Sequence, residues 1–346
     1  MKRKAVVCFA LVALFFVSFF SKSISSGVAD SSHVSKSSAR AADWWPMFHH
    51  DLLHTGNSNS IAPNTNQTLW KFNTGGQVNS PAVAGGVVYA GSYDNKVYAL
   101  NASNGDFIWS YTTGGIVLSP AAVSDGIVYI GSEDSKVYAL NASNGDFVWS
   151  YTTGYYVDSA PVVSDGIVYV GSEDSKVYAL NAHNGDLVWS YTTGDVIMLS
   201  SPAVAGGIVY VGSLDHKVYA LNASSGDLVW SYTTSDMVVS SPAVAGGVVY
   251  VGSEDSKVYA LNASNGDFVW SYTTSGPVYS SPAVSDGIVY VGSYDHLVYA
   301  FGPSPRSTPT QGEGISTESV YTGIAIVAIM IAAIAGYVYY MKTRKK

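Results

Sequence analysis

Residues 80–113 read SPAVAGGVVYAGSYDNKVYALNASNGDFIWSYTT, and the same string returns with few changes until residue 301. A fixed period near 40 residues marks stacked or ring-shaped repeats rather than one ordinary core. Tryptophans time it: Trp70, Trp109, Trp149, Trp189, Trp230 and Trp270 lie 39, 40, 40, 41 and 40 residues apart. Each unit holds four short runs, here 81–84, 87–91, 96–100 and 107–112. Their β-branched and aromatic bias and the lack of a 3.6-residue period predict strands. Gly85-Gly86, replaced elsewhere by Asp125-Gly126, Asp165-Gly166 or Asp286-Gly287, supplies the positive φ angles of a two-residue hairpin turn. Asn104-Gly105 marks the turn before the last run. Four antiparallel strands per unit, repeated radially, describe an all-β propeller.

The blade count follows from the ends of the array. The sixth unit, residues 281–301, has three runs and stops before any Trp strand. A spare Trp strand stands at the other end, at residues 68–73 around Trp70. Six blades are therefore expected, the last closed by the N-terminal Trp70 strand, which removes an open sheet edge. Pro81, Pro120, Pro161, Pro202, Pro242 and Pro282 open the innermost strands, an edge where a missing N–H is tolerated.

The chain ends read differently. Residues 1–29 carry a basic start and the apolar run 5–20, about 24 Å as a helix and short of a bilayer core, which predicts a secretory signal peptide. Residues 30–42 continue a Ser-rich spacer. After the propeller at 43–302 come a Pro/Ser/Thr linker at 303–319, an uncharged stretch at 320–341 and a basic tail at 342–346. Twenty-two uncharged residues suffice for a transmembrane helix. The basic tail should stay in the cytoplasm, which makes a single-pass protein of the cell membrane with its propeller outside the cytoplasm. Ala328, Ala332 and Gly336 form a small-residue ladder on which helices can pair, so a homo-oligomer is a candidate assembly. The only cysteine, Cys8, lies in the signal, which leaves the mature chain without a disulfide or thiolate chemistry.

Residues 43–302 hold 22 Asp and Glu against six Lys and no Arg, a net of −16. No basic groove exists there for nucleic acid; a cationic partner or a solvated surface suits such a domain. Asp94, Asp134, Asp174, Asp215, Asp255 and Asp295 recur in the loop after the second strand, where Asp hydrogen-bonds its own turn. The ligand-dense spacing of a calcium loop is absent. Before the repeats, His49, His50, Asp51 and His54 invite a zinc reading without a complete ligand set. The alternative is a segment in which Trp44, Trp45, Met47 and Phe48 pack against the propeller or across its channel.

The run from Ala99 to Trp109, ALNASNGDFIW, resembles the tryptophan-docking motif of pyrroloquinoline-quinone (PQQ)-type propellers, Ala-x-Asp-x-x-Thr-Gly-Lys-x-x-Trp. Ala, Gly and Trp keep their places through Trp149, Trp189, Trp230 and Trp270, while Asn141, Asn181, Asn222 and Asn262 stand for the motif's Asp. The resemblance spans residues 43–302 and implies that the six Trp side chains dock between blades. It also implies that seven or eight blades are possible, since relatives often have them. The quinoprotein dehydrogenases it resembles hold PQQ with calcium, using a catalytic Asp, usually a vicinal disulfide and residues that clamp the quinone carboxylates. No Cys pair, no Arg and no long insertion is present in this propeller. No catalytic, cofactor or metal residue is therefore expected, and the chain reads as a non-catalytic binding or assembly scaffold. A PQQ-dependent dehydrogenase is the alternative, and a self-associating surface component the second.

What differs between blades points to the working surface. The segments entering each inner strand carry Tyr155, Tyr156, Met198, Met237 and Tyr279, a candidate partner-binding rim for an extracellular protein or glycan. A second variable ring is Tyr93, Glu133, Glu173, Leu214, Glu254 and Tyr294. Asn66, Asn101, Asn141, Asn222 and Asn262 begin N-glycosylation sequons, four of them at repeated turns.

Overall fold

The computed structural model describes residues 45–56, 58 and 64–303. Within them lie 23 strands and no helix. The first blade comprises β1 (Ala82–Ala84), β2 (Val87–Ser92), β3 (Lys96–Asn101) and β4 (Phe107–Thr112). The second has β5 (Ala122–Ser124), β6 (Ile127–Ser132), β7 (Lys136–Asn141) and β8 (Phe147–Thr152), and the third β9 (Val162–Ser164), β10 (Ile167–Ser172), β11 (Lys176–Asn181) and β12 (Leu187–Thr192). The fourth has β13 (Ala203–Ala205), β14 (Ile208–Ser213), β15 (Lys217–Asn222) and β16 (Leu228–Thr233). The fifth has β17 (Ala243–Ala245), β18 (Val248–Ser253), β19 (Lys257–Asn262) and β20 (Phe268–Thr273), and the sixth β21 (Ala283–Ser285), β22 (Ile288–Gly292) and β23 (Val298–Phe301). Every sheet is an antiparallel meander in chain order.

The middle strands explain the sequence pattern. β6 and β10 are buried over five successive residues, on both faces, because blades two and three are each sandwiched between two others. Near-continuous apolar runs such as Ile167-Val168-Tyr169-Val170 are what such a position requires. The outer strands alternate instead, with Trp149 buried in β8 between exposed neighbours. Asp125 and Gly126 take φ of 49° and 76°, the two positive angles of the expected hairpin turn.

Blades are joined by the tryptophans, each docking on the blade that follows its own. The indole Nε1–H groups of Trp109, Trp149, Trp189 and Trp230 donate to the carbonyls of Ala142, Ala182, Ala223 and Ala263 at 2.9, 2.9, 2.9 and 3.0 Å. The ring also covers a glycine at positive φ. A Cβ on Gly185 (φ +76°) would lie 2.7 Å from Trp149 Cδ2, so both backbone angle and space demand glycine there. The repeated aspartates add a second tie. Asp174 Oδ2 accepts from Tyr178 Oη at 2.5 Å and from the backbone N–H of Gly154, which lies in the loop leaving the preceding blade. They are turn residues, as expected, and inter-blade clips as well.

Closure departs from expectation. The sixth sheet has three strands, and among the described residues nothing pairs with the outer side of β23. Residues 68–73 form no strand, yet Trp70 is docked: its Nε1–H donates to Ala102 carbonyl at 3.0 Å, and the Phe72 ring packs on Tyr98 and Phe107. The segment thus holds the place of a preceding blade's outer strand without the ladder. β23 offers a poor template, since it has only four residues and Gly302-Pro303 replaces the Asn-Ala that ends the third strand in the other blades. The expected signal, spacer, linker, transmembrane helix and tail lie outside the described residues, as does Trp44.

Candidate functional site

The axis of the propeller is filled by its own chain. Carbonyls of Trp45, Pro46, Leu52, Leu53 and Thr55 accept the backbone N–H groups of Val83, Val123, Val204, Val244 and Val284 at 2.6–2.8 Å. One plug residue thus caps the inner strand of blades one, two, four, five and six. Met47, buried, packs in the same core cluster as Val163 of blade three. The plug is held by a tight internal fold: Asp51 Oδ1 accepts from the N–H groups of Leu53 and Thr55 at 3.0 Å, and His49, His50 and His54 take positive φ angles. This is the across-the-channel packing that Trp45, Met47 and Phe48 suggested.

The histidines serve the plug. His54 is buried, and its Nδ1–H donates to the Pro242 carbonyl at 3.2 Å; His49 Nδ1–H donates to the His54 carbonyl at 3.2 Å. Burial, with His49 beside it, drives the His54 imidazole down to about 3, so it is neutral near pH 7. Among the described residues no three His, Cys, Asp or Glu side chains gather closely enough to hold a metal ion.

Above the plug opens a cavity of about 520 Å³, with Phe48 among its lining residues. Its wall unites the two variable rings: Met198, Met237 and Tyr279 from the first, Leu214, Glu254 and Tyr294 from the second. Tyr155 and Tyr156 are not in this wall; they stack on each other at a centroid distance of 4.2 Å. The Tyr279 and Tyr294 rings meet at 4.5 Å. The rings are neighbours for a local reason. The N–H of each second-ring residue bonds a carbonyl of the segment entering the inner strand, as Glu173 does with Tyr156 and Glu254 with Met237, both at 2.9 Å.

Asp158 also lines this cavity, and sequence reasoning passed over it. Its signal was a lone acid at a position that is Asn79, Leu118, Leu199, Val239 or Tyr279 in other blades. The side chain is 7% exposed. Burial first, then the charges of Glu173 and Glu133, push its carboxyl up to about 7. Glu173 is raised as well, by burial and by Glu133. The mouth therefore mixes chemistries: a carboxylate cluster and a tyrosine pair on blades two and three, and Met, Leu and Tyr side chains on blades four to six with the Glu254 carboxylate among them.

The four repeated sequons sit where the third strand ends. Asn101 Oδ1 accepts from the backbone N–H and the hydroxyl of Ser103 at 2.9 and 2.6 Å, and Asn141, Asn222 and Asn262 repeat this turn. Asn66 is exposed in the segment before Trp70.

Meandering blades of one 40-residue unit, locked by Trp over Gly, define a PQQ-type β-propeller. The family model described as outer membrane protein assembly factor BamB matches residues 55–195, 112–242 and 236–304, well over half of the 346 residues, and the chain belongs to that family. No curated protein matches it in sequence. Among solved structures, it is similar to the quinohemoprotein alcohol dehydrogenase ADHIIG of Pseudomonas putida HK5 at 19% identity and a TM-score of 0.62, covering 72% of this chain and 57% of that one. A europium-containing methanol dehydrogenase gives 16% and 0.64, with 72% and 68% covered, and the computationally designed Ika8 protein 17% and 0.60, with 65% and 71% covered. At these identities the likeness is one of fold.

Proposed function

We propose that this chain is a non-catalytic binding or assembly scaffold, displayed outside the cytoplasm by a C-terminal membrane anchor, and that the plugged mouth is its working surface. One observation carries the reading: Met198, Met237 and Tyr279 of the first variable ring and Leu214, Glu254 and Tyr294 of the second line a single cavity, while the repeated Trp and Asp side chains hold blades together. Membership in a family described as an assembly factor supports it. So does the chemistry of the mouth, because Met and Tyr side chains beside polar groups suit protein recognition.

A quinoprotein dehydrogenase is the second reading, favoured by a cavity of cofactor size. The residues around it fit the quinone poorly. Its carboxylates would face Asp158 and Glu254 with no arginine in residues 43–302 to clamp them. Two measurements on the full-length protein separate the readings. Equilibrium dialysis against PQQ, with and without calcium, should show no saturable retention; metal-dependent one-to-one binding would overturn the scaffold reading. Alanine at Tyr155, Tyr156 and Tyr279 together should weaken cross-linking to the native partner without lowering the melting temperature. Undiminished cross-linking would remove the mouth.

A further inference from the structure

Asp158 is buried, it lines the cavity, and its Oδ1 has no hydrogen-bond partner. An unpaired buried acceptor is destabilising, and more so when charged. Glu173 shares a hydrogen bond with the Asp158 carboxyl, and both Glu173 and Glu133 act on it through their charge. The only ion pairs among the described residues are His50 with Asp51 and His216 with Asp236, so no lysine neutralises these three carboxylates. Glu133 and Glu173 also act on Tyr156, whose ring is stacked with that of Tyr155, so aromatic faces and carboxylates share one rim. On the next two blades Met198, Leu199 and Met237 line the same cavity.

The geometry points to an arginine-binding site, in which the guanidinium of a partner protein donates to Asp158 and stacks by the Tyr155–Tyr156 pair while apolar neighbours of that arginine rest on Met198, Leu199 and Met237. A guanidinium suits the place better than an ammonium. It is weakly hydrated, presents several donors in one plane and stacks on aromatic rings, whereas a lysine head is a strongly hydrated point charge. A metal ion suits it less, since no three of these ligands converge. The inference rests on the scaffold reading and gives its partner a chemistry.

The test titrates the purified full-length protein, by calorimetry, with the capped peptide Gly-Leu-Arg-Leu-Gly and with versions carrying citrulline or lysine in its centre. The arginine peptide should bind one to one, and the neutral, nearly isosteric citrulline peptide at least about tenfold more weakly. Asp158→Asn and Glu173→Gln should each weaken the arginine peptide by a similar factor with no fall in melting temperature. Equal affinity for arginine and citrulline, or no saturable binding, overturns the inference. So does a lysine peptide that binds as tightly, which would mean a site for cations in general. Calcium binding that Asp158→Asn abolishes would reassign the site to a metal. Failure here leaves the scaffold reading intact, since that reading is tested separately by PQQ dialysis and by cross-linking of the tyrosine variant.

Discussion

Gly185 shows how much of this molecule is decided one residue at a time. Its φ of +76° and the Trp149 ring 2.7 Å from where a Cβ would sit impose two separate penalties on any other residue. Gly185→Ala should lower stability by about 2–4 kcal/mol, the sum of a left-handed alanine and an overpacked contact, read as a shift in denaturant midpoint. Two titrating residues set opposite pH trends. Asp158 is raised to about 7 in the folded state, so its share of stability is full below about 4 and is lost as pH rises through 7. His54 is lowered to about 3, so its share is present above 6.5 and is lost as pH falls toward 3. Asp158→Asn should therefore melt higher than the parent at pH 8, by about 2–4 °C for each kcal/mol gained, and converge with it near pH 4. A variant that melts lower at pH 8 would mean the carboxylate is already paired.

At the scale of the element, the hairpins, strand limits and tryptophan spacing were legible, because each is fixed by local backbone chemistry repeated five or six times. Phe107 to Thr112, for instance, was expected as a strand and is one. The fate of residues 68–73 was not legible. Their Trp and Phe match the outer-strand pattern, but strand pairing depends on what β23 offers, and Gly302-Pro303 ends that offer early. Likewise Met198, Met237 and Tyr279 were identified as one mouth from their variability, while Asp158 was not, since its burial and its unpaired oxygen are properties of the folded mouth and not of its local sequence. Trp149 and Trp70 make the same bond in unlike settings, the first buried and the second partly exposed. Trp149→Ala should cost about 3–5 kcal/mol, and Trp70→Ala roughly half as much, in thermal or urea unfolding. Equal losses would indicate that residues 68–73 complete the sixth blade in solution.

For the whole molecule, nearly identical blades would leave every direction around the axis equivalent. The plug and the variable rings break that equivalence, gathering Glu133, Asp158 and Glu173 on blades two and three and the methionines on blades four and five, with Glu254 beside Met237. The plug does this in order, with Trp45 and Pro46 on blades one and two and Leu52, Leu53 and Thr55 on blades four, five and six. Tandem units this alike invite unequal recombination, in which a 40-residue copy is gained or lost. Such a product would still be a legal string of hairpins, but its carbonyls and inner strands would fall out of step along the axis. A dozen residues ahead of the array thus serve as a tally stick, fixing how many copies the finished ring contains.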